Sequence, residues 1–151
     1  MTPHLQNKQG FTLLELLLVT CIMGVFAQLV AMDMLGQMPQ RRLSGATRQL
    51  TWDLLRARMQ AIKLRQNVQV TFVDTHTYTI WIDTNKNGVT ESGEEEVKNV
   101  HTKYRGVNVT STNNITFNSR GAAHNAATIT LTSSQGSKSI AVNIAGFIKA
   151  G

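Results

Sequence analysis

The sequence contains few cysteine, aromatic and acidic residues. Its 151 residues include a single cysteine, Cys21, so an internal disulfide is excluded. Aromatic residues make up only 6%, which predicts a modest hydrophobic core. Nine Asp and Glu stand against fifteen Lys and Arg, and the resulting charge of +6 favours anionic partners without identifying one.

Motifs of catalytic sites are also missing. The four histidines, His4, His76, His101 and His124, lie far apart in the sequence and share no metal-ligand spacing. No Gly-x-Ser-x-Gly elbow occurs, and Cys21 lies inside an apolar run where a nucleophile is not expected. The sequence therefore predicts a protein that is not an enzyme.

The longest apolar run extends from Phe11 to Met32 and contains one charge, Glu15. As a helix of about 1.5 Å per residue it is roughly 33 Å long, the thickness of a bilayer core. Lys8 precedes it, so the positive-inside bias places the N-terminus in the cytoplasm and the rest of the chain across the membrane.

The residues around this run do not follow an ordinary secretory signal. The small residue Gly10 precedes the run, so a cut after Gly10 leaves the helix attached and makes Phe11 the N-terminus. A carboxylate at the centre of a membrane helix costs about 2.5–3.5 kcal/mol, so Glu15 calls for a partner. We expect that partner to be a free α-amine, its own or a neighbour's; the alternative is a signal anchor whose Glu15 snorkels to the interface.

The stretch KQGFTLLELLL spans the start of the apolar run. It resembles the class III prepilin signal of type IV pilins and type II secretion pseudopilins. The resemblance implies that a prepilin peptidase cuts after Gly10 and N-methylates Phe11, and that Glu15 guides assembly. It also implies a single-pass inner-membrane precursor with a periplasmic C-terminal domain, and partners that are other pilin subunits and an inner-membrane platform.

Beyond the apolar run the pattern changes. Gly36 and Pro39 interrupt it, and we expect a kink or short break there because Pro39 lacks a backbone donor. Apolar residues then recur at spacings of three and four, which predicts one stripe of an amphipathic helix that packs on a sheet. The stripe consists of Leu43, Ala46, Leu50, Leu54, Ala57, Ala61 and Leu64.

The other faces of this helix are basic, with Asp53 as their one acid. Such a face can be solvated, can bind lipid headgroups, or can pair with acidic faces of other subunits. We favour one of the last two for Arg41 and Arg42, which follow the membrane segment, and a solvated face for the rest. The remaining basic residues are Arg48, Arg56, Arg58, Lys63 and Arg65.

The rest of the chain alternates between apolar and polar residues, which predicts an antiparallel sheet and an α+β fold. Strands are expected at 68–72, 78–82, 97–104, 107–109, 115–117, 129–131 and 140–144. The pairs Ala57-Arg58 and Ala61-Ile62, and the C-terminal stretch from Phe117, resemble the GspH/FimT group of minor pilin-like proteins. The expected division is a leader at 1–10, a transmembrane and filament-core helix at 11–36, an amphipathic helix at 37–66 and a β-rich domain at 67–151.

One loop, DTNKNGVTESGE, matches the twelve-residue calcium-loop pattern. Gly88 permits its sharp turn, but EF-hand loops lie between helices, whereas this one is expected between strands. A long hairpin with an Asn-Gly turn explains the same residues without an ion. The ligands for Ca²⁺ would be Asp83, Asn85, Asn87, Val89 and Glu94.

The C-terminus is the candidate region for nucleic-acid binding. Some FimT-like proteins take up DNA through a Gly-Arg-x-Arg element, and here Phe147 and Lys149 replace the two arginines. One point charge is left where two guanidinium groups would lie, so DNA uptake by this route is doubtful. A weak basic patch would consist of Arg105, Arg120, Lys138 and Lys149. The sequence favours a minor pilin or pseudopilin; the alternatives are a pilus-tip protein that binds DNA or calcium, and a simple anchored periplasmic domain.

Overall fold

The computed structural model describes residues 11–82 and 93–151, without the side chains of residues 29–36. The chain divides into two compact units, Met1–Gln37 and Met38–Gly151, and helix α1 contributes to both. Its elements in chain order are α1 (Leu13–Leu64), β1 (Val68–Phe72), β2 (Thr77–Ile82), β3 (Glu95–Asn99), α2 (Val100–Lys103), β4 (Asn108–Ser111), β5 (Ile115–Phe117), β6 (Ala127–Ser133), β7 (Gly136–Val142) and β8 (Ile148–Ala150). The expected α+β class, a long N-terminal helix with antiparallel strands after it, is confirmed.

Helix α1 is continuous past Pro39, so the expected short break is wrong, while the alternative, a kink, stays a prediction. A proline inside a helix removes one backbone hydrogen bond and costs about 3 kcal/mol. The turns that follow Pro39 are stabilised by tertiary burial, which begins at Leu43 and continues to Ala61. This burial outweighs one missing bond, because most helical stability in proteins comes from packing of the apolar face.

The apolar stripe of α1 is buried as expected, with one exception. Leu43, Ala46, Leu50, Leu54, Ala57 and Ala61 belong to one buried cluster together with residues of the strands. Leu64 is exposed, because the helix ends at this residue and the chain turns away toward β1. The sequence periodicity identifies the buried face correctly but does not show where the face ends.

The C-terminus of α1 closes in a Schellman motif. The backbone N–H of Gln66 donates to the carbonyl of Ala61 at 3.2 Å, and that of Arg65 donates to Ile62 at 3.4 Å. Arg65 takes a φ of 53°, the left-handed conformation in which glycine is usual. The turn therefore connects α1 to β1 through a non-glycine residue in a strained backbone conformation.

The strands form two four-stranded antiparallel sheets instead of the single sheet expected. The first has the order β3-β2-β1-β5 and the second β4-β6-β7-β8. The alternation expected in the sequence is present: Val68 and Val70 on β1, Tyr78 and Ile80 on β2, and Ile140 and Val142 on β7 are buried. Periodicity fixes which face of a strand is buried, but strand partners come from tertiary contacts.

The segment expected as a strand from 97 to 104 is wrong in its second half. Asn99 ends β3 and caps α2, because its side chain accepts a hydrogen bond from the backbone N–H of Thr102 at 3.1 Å. The last strand, β8, had no alternation long enough to be expected. The strand expected at 140–144 starts earlier and ends at Val142.

Candidate assembly surface

The N-terminal part of α1 presents apolar side chains to solvent. Leu13 is 83% exposed and Phe26 is 64% exposed. The other large exposed apolar residues here are Leu14, Leu16, Leu17, Leu18, Val19, Ile22, Met23 and Val25. Among the residues that the structure describes, no helix has a stretch both long and apolar enough to cross a membrane.

A polar cap begins this helix. The hydroxyl of Thr12 accepts a hydrogen bond from the backbone N–H of Glu15 at 3.2 Å. Thr12 is thus the N-cap and Glu15 the third helical residue, and this bond is one of the two hydrogen bonds of a capping box. The negative charge of Glu15 also lies where the helix dipole favours it.

The carboxylate of Glu15 makes no hydrogen bond or ion pair within residues 11–82 and 93–151. Phe11, two residues before the helix, is 83% exposed. Gly10, the expected cleavage position, lies outside the described residues. The processing and assembly roles of Gly10, Phe11 and Glu15 stay predictions.

The other acid of α1 with described surroundings, Asp53, is buried and paired. Its carboxylate accepts hydrogen bonds from the Tyr78 hydroxyl at 2.5 Å and from the Lys98 ammonium at 2.9 Å. Lys98 also lies 3.3 Å from Glu96, which in turn lies 3.4 Å from Arg56. This cluster joins α1 to β2 and β3. The sequence placed Asp53 among the outward faces, but the structure places it on the buried side.

The cluster changes two pKa values. Burial raises the pKa of Tyr78, and its hydrogen bond to the Asp53 carboxylate raises it further. Partial burial opposes the charged form of Lys98, yet the hydrogen bonds to Asp53 and Glu96 outweigh it, so the pKa of Lys98 is raised. Tyr78 thus stays neutral and Lys98 stays charged to higher pH than in an unfolded chain.

Arg58 joins three segments that are remote in sequence. Its Nε donates to the carbonyl of Gly121 at 2.9 Å, and its guanidinium lies 5.8 Å from the ring centre of Phe147. Gly146 packs so closely that an added Cβ would lie 1.9 Å from the Gly121 carbonyl oxygen. The Ala57-Arg58 pair and Gly146 therefore have a packing role. The ring of Phe147 contacts the Arg58 guanidinium.

The two lysines expected in a basic patch lie on opposite faces of the second sheet. Lys138 is on β7 in phase with the buried Ile140, whereas Lys149 on β8 pairs with the exposed Ala141. Lys138 lines a cavity with Arg48 and the exposed Trp52. A joint nucleic-acid surface of Lys138 and Lys149 is thus not formed.

The two arginines expected to contact lipid or other subunits have different surroundings. Arg42 donates to the backbone carbonyl of Arg105 at 3.4 Å and is only partly exposed. Arg41 is exposed. Arg42 therefore has an internal role that the sequence did not indicate, while the assignment of both to an outside partner stays a prediction.

The expected calcium loop lies mostly outside the described residues, which include Glu94 but not Asp83, Asn85, Asn87 or Val89. The loop connects β2 to β3, which pair as antiparallel neighbours, so its flanking elements are strands as expected. The carboxylate of Glu94 accepts a hydrogen bond from the indole N–H of Trp81 at 3.4 Å. Within residues 11–82 and 93–151, no three His, Cys, Asp or Glu side chains converge to hold a metal ion.

Two histidines that seemed unrelated in the sequence lie side by side. The ring centres of His76 and His101 are 4.8 Å apart, with their planes at 78°. The backbone N–H of Val100 donates to the His76 carbonyl at 2.7 Å, and this bond brings α2 against the β1–β2 turn. Sequence reasoning missed the pair because no motif connects the two positions.

The fold of this chain is similar to those of known protein structures. The chain's fold is similar to that of the type IV minor pilin FimU of Pseudomonas aeruginosa, with 15% identity over 74% of this chain and 90% of that one and a TM-score of 0.57. It is similar to the minor pseudopilin EpsH of the Vibrio cholerae Type 2 Secretion System, with 14% identity over 73% and 96% of the chains and a TM-score of 0.58. No curated protein matches the sequence.

At such low identities these structures show a common fold only. A sequence-family model extends the comparison: the model of the type II transport protein GspH matches residues 46–146. This match includes α1 from Ala46 onward and the strands β1 to β7, and thus also the Arg58, Gly121 and Gly146 contacts. It covers about two thirds of the chain, and the chain belongs to the GspH family.

Proposed function

We propose that this protein is a minor pilin or pseudopilin subunit that enters a type II secretion pseudopilus or a type IV pilus through its N-terminal helix. The observation that carries the proposal is the row of exposed apolar side chains from Leu13 to Phe26. Exposed apolar surface of this extent marks an interaction site. The family supplies the partner, since helices of other pilin subunits present the same kind of surface.

The proposed route begins with a precursor anchored in the inner membrane by residues 11–32, with its C-terminal domain in the periplasm. A prepilin peptidase cuts after Gly10 and N-methylates Phe11, and an inner-membrane platform adds the subunit to the filament. Removing an apolar helix from lipid is unfavourable unless the same surface is buried again, and the filament core provides that burial. Catalysis plays no part in this role.

Glu15 selects the docked register in this proposal. Its carboxylate is unpaired in the described residues, so it is available to the α-amine that cleavage creates on Phe11 of the same or a neighbouring subunit. A charge pair out of water is worth far more when both partners are present than when one is missing. A subunit docked out of register leaves Glu15 unpaired and is disfavoured.

The test separates the charge of Glu15 from its position in the helix cap. Glu15→Gln removes the charge but keeps a side chain that suits the third position of a capping box. Thr12→Ala removes the cap and keeps the charge. We expect Glu15→Gln to lower the filament-incorporated fraction at least tenfold, and Thr12→Ala to lower it less than twofold.

The control is Glu95→Gln, which neutralises an exposed acid on β3. It should assemble like the wild type. Equal incorporation of Glu15→Gln and wild type in a pull-down of sheared filaments would refute the charge mechanism. Mass spectrometry of the assembled subunit tests processing, since a mature chain that starts at methylated Phe11 is expected and an intact Met1 contradicts it.

Calcium binding at residues 83–94 is a further proposal, based on the sequence pattern and on Glu94 next to Trp81. If Glu94 turns its carboxylate to Ca²⁺, it releases the indole N–H of Trp81, and the tryptophan fluorescence should change. The measurement uses a Trp52→Phe background, which leaves Trp81 as the one tryptophan. A Ca²⁺ response that Glu94→Gln does not reduce, or no response, argues for a plain hairpin.

A further inference from the structure

The cavity beside His76 and His101 holds a set of side chains that the assembly function does not use. Asp74, Thr77, Asn99, Thr102 and Arg105 line it together with the two histidines. His76 precedes β2, and His101 lies on α2. Backbone bonds fix both positions, so the two imidazoles meet through the fold and not through a flexible tail.

The spacing of the two rings suits a shared metal ion. Imidazole nitrogen binds Zn²⁺ at about 2.0–2.1 Å, which puts the ion roughly 3.2 Å from each ring centre. Ring centres 4.8 Å apart then subtend an angle of about 97° at the ion, close to the octahedral and tetrahedral values. The ring planes stand at 78° in an edge-to-face arrangement, and a shared ion requires that each plane contain it and that one nitrogen of each ring point to it.

Neighbouring groups orient one of the rings. The hydroxyl of Thr75 lies 3.2 Å from Nδ1 of His76. When that hydroxyl accepts a hydrogen bond from Nδ1–H, the lone pair of Nε2 is left for a metal, the arrangement that outer-shell partners commonly impose. The carboxylate of Asp74 holds the backbone N–H groups of His76 and Thr77 at 2.6 and 2.8 Å, which fixes the turn that carries the ring.

Charge in the cavity is mixed. Asp74 and Arg105 both line it, so one carboxylate and one guanidinium offset each other. A bound dication thus faces one carboxylate and one guanidinium. The imidazoles decide which ion is preferred, because nitrogen donors favour Zn²⁺, Ni²⁺ and Cu²⁺ over Ca²⁺ and Mg²⁺.

We propose that His76 and His101 form a two-histidine binding site for a divalent transition-metal ion, with water completing its coordination. This site is separate from the calcium loop and does not depend on the assembly function. A bound ion connects the β1–β2 turn to α2 and should stabilise the folded domain, because the unfolded chain does not bring the two residues together.

Isothermal titration calorimetry tests the proposal. It uses the full-length chain in detergent, purified without a polyhistidine tag. The background is His4→Gln with His124→Gln, which leaves His76 and His101 as the only histidines. ZnCl₂, NiCl₂ and CuCl₂ are titrated separately, with CaCl₂ as the oxygen-preferring comparison. We expect one transition-metal ion per chain, with Cu²⁺ bound more tightly than Ni²⁺ or Zn²⁺.

The single variants His76→Gln and His101→Gln should each weaken binding at least tenfold. Saturating Zn²⁺ should raise the melting temperature of the background protein and leave both single variants unchanged. Urea midpoints without metal show whether each variant still folds.

Three results overturn the proposal. One is a stoichiometry or affinity that neither single variant alters, which places the ion elsewhere. Another is loss of binding in only one single variant, which denies a shared site. The third is the absence of binding by the background protein, in which case His76 and His101 are an edge-to-face ring pair only.

Discussion

Helix α1 contains two apolar stretches, one of which is buried while the other is exposed. From Leu43 to Ala61 the apolar stripe is buried against the strands of its own chain, whereas from Leu13 to Phe26 the apolar residues are exposed. The acids follow the same division. Asp53 is paired with Tyr78 and Lys98, while the carboxylate of Glu15 has no partner in the described residues.

Under the proposed function, this contrast explains how one helix serves both folding and assembly. A stripe that is one face wide, with polar residues around it, can be satisfied by one domain. A stretch that is apolar on all sides exceeds what one domain covers and is stable only in lipid or among other helices. The difference between narrow and all-round apolarity separates the two roles.

Matched leucine truncations in the two halves of α1 should give the largest difference in stability. Leu54→Ala removes a fully buried side chain and should reduce the free energy of unfolding by about 2–5 kcal/mol. Leu16→Ala, at an exposed position, should change it by less than about 0.5 kcal/mol, yet lower filament incorporation. Urea denaturation of both variants in detergent measures this; a similar loss for both would contradict the division of the helix.

The paired acids provide the next comparison. Asp53→Asn weakens the hydrogen bonds from Tyr78 and Lys98 to a buried charge, so a loss of about 2–3 kcal/mol in the free energy of unfolding is expected. Glu15→Gln should leave that free energy within about 0.5 kcal/mol. If thermal and urea unfolding respond alike to both changes, the contrast between the two acids is wrong.

Alkaline pH should weaken the self-contained part of the molecule. The pKa of Tyr78 and that of Lys98 are both raised in the folded state, so their stabilisation is complete below the unfolded values of 10.0 and 10.5 and declines as the pH rises above them. Each proton contributes a slope of up to about 1.4 kcal/mol per pH unit.

Urea midpoints between pH 8 and 11 measure this decline. Tyr78→Phe should be less stable than the wild type at pH 8 and should lose stability less steeply above pH 10. Tyr104→Phe, outside the cluster, is the control and should keep the wild-type slope. A Tyr78→Phe curve parallel to the wild type would show that Tyr78 does not contribute to the alkaline loss.

The smallest effect is expected at the end of α1. Arg65 adopts a φ of 53°, and Arg65→Gly relieves the Cβ strain of that conformation. Because glycine also loses more entropy on folding, the net stabilisation should be about 0.5–1 kcal/mol. Calorimetry should show a small rise in the melting temperature. Gly106→Ala, at a φ of 79°, is the reverse test and should lower it.

Much of the fold could be predicted because its signals are local. The stripe from Leu43 to Ala61 is a spacing of three and four, and the buried residues of β1 and β2 are an alternation, so both can be identified within a few residues. The capping of α2 by Asn99 is also local, but it was hidden inside a segment with strand-like composition. The candidate assembly site could be proposed for the same reason, since Phe11 and Glu15 lie within one apolar run.

The amino-acid sequence by itself determined the α+β class, the buried face of the second half of α1 and the apolar character of the first half, because each depends on which side chains recur along a short stretch. Only the tertiary structure decided the division into two sheets, the burial of Asp53 against Tyr78, the separation of Lys138 from Lys149 and the meeting of His76 with His101. These are contacts between residues distant in sequence, and they arise when packed elements bring remote backbones together, which no local periodicity encodes.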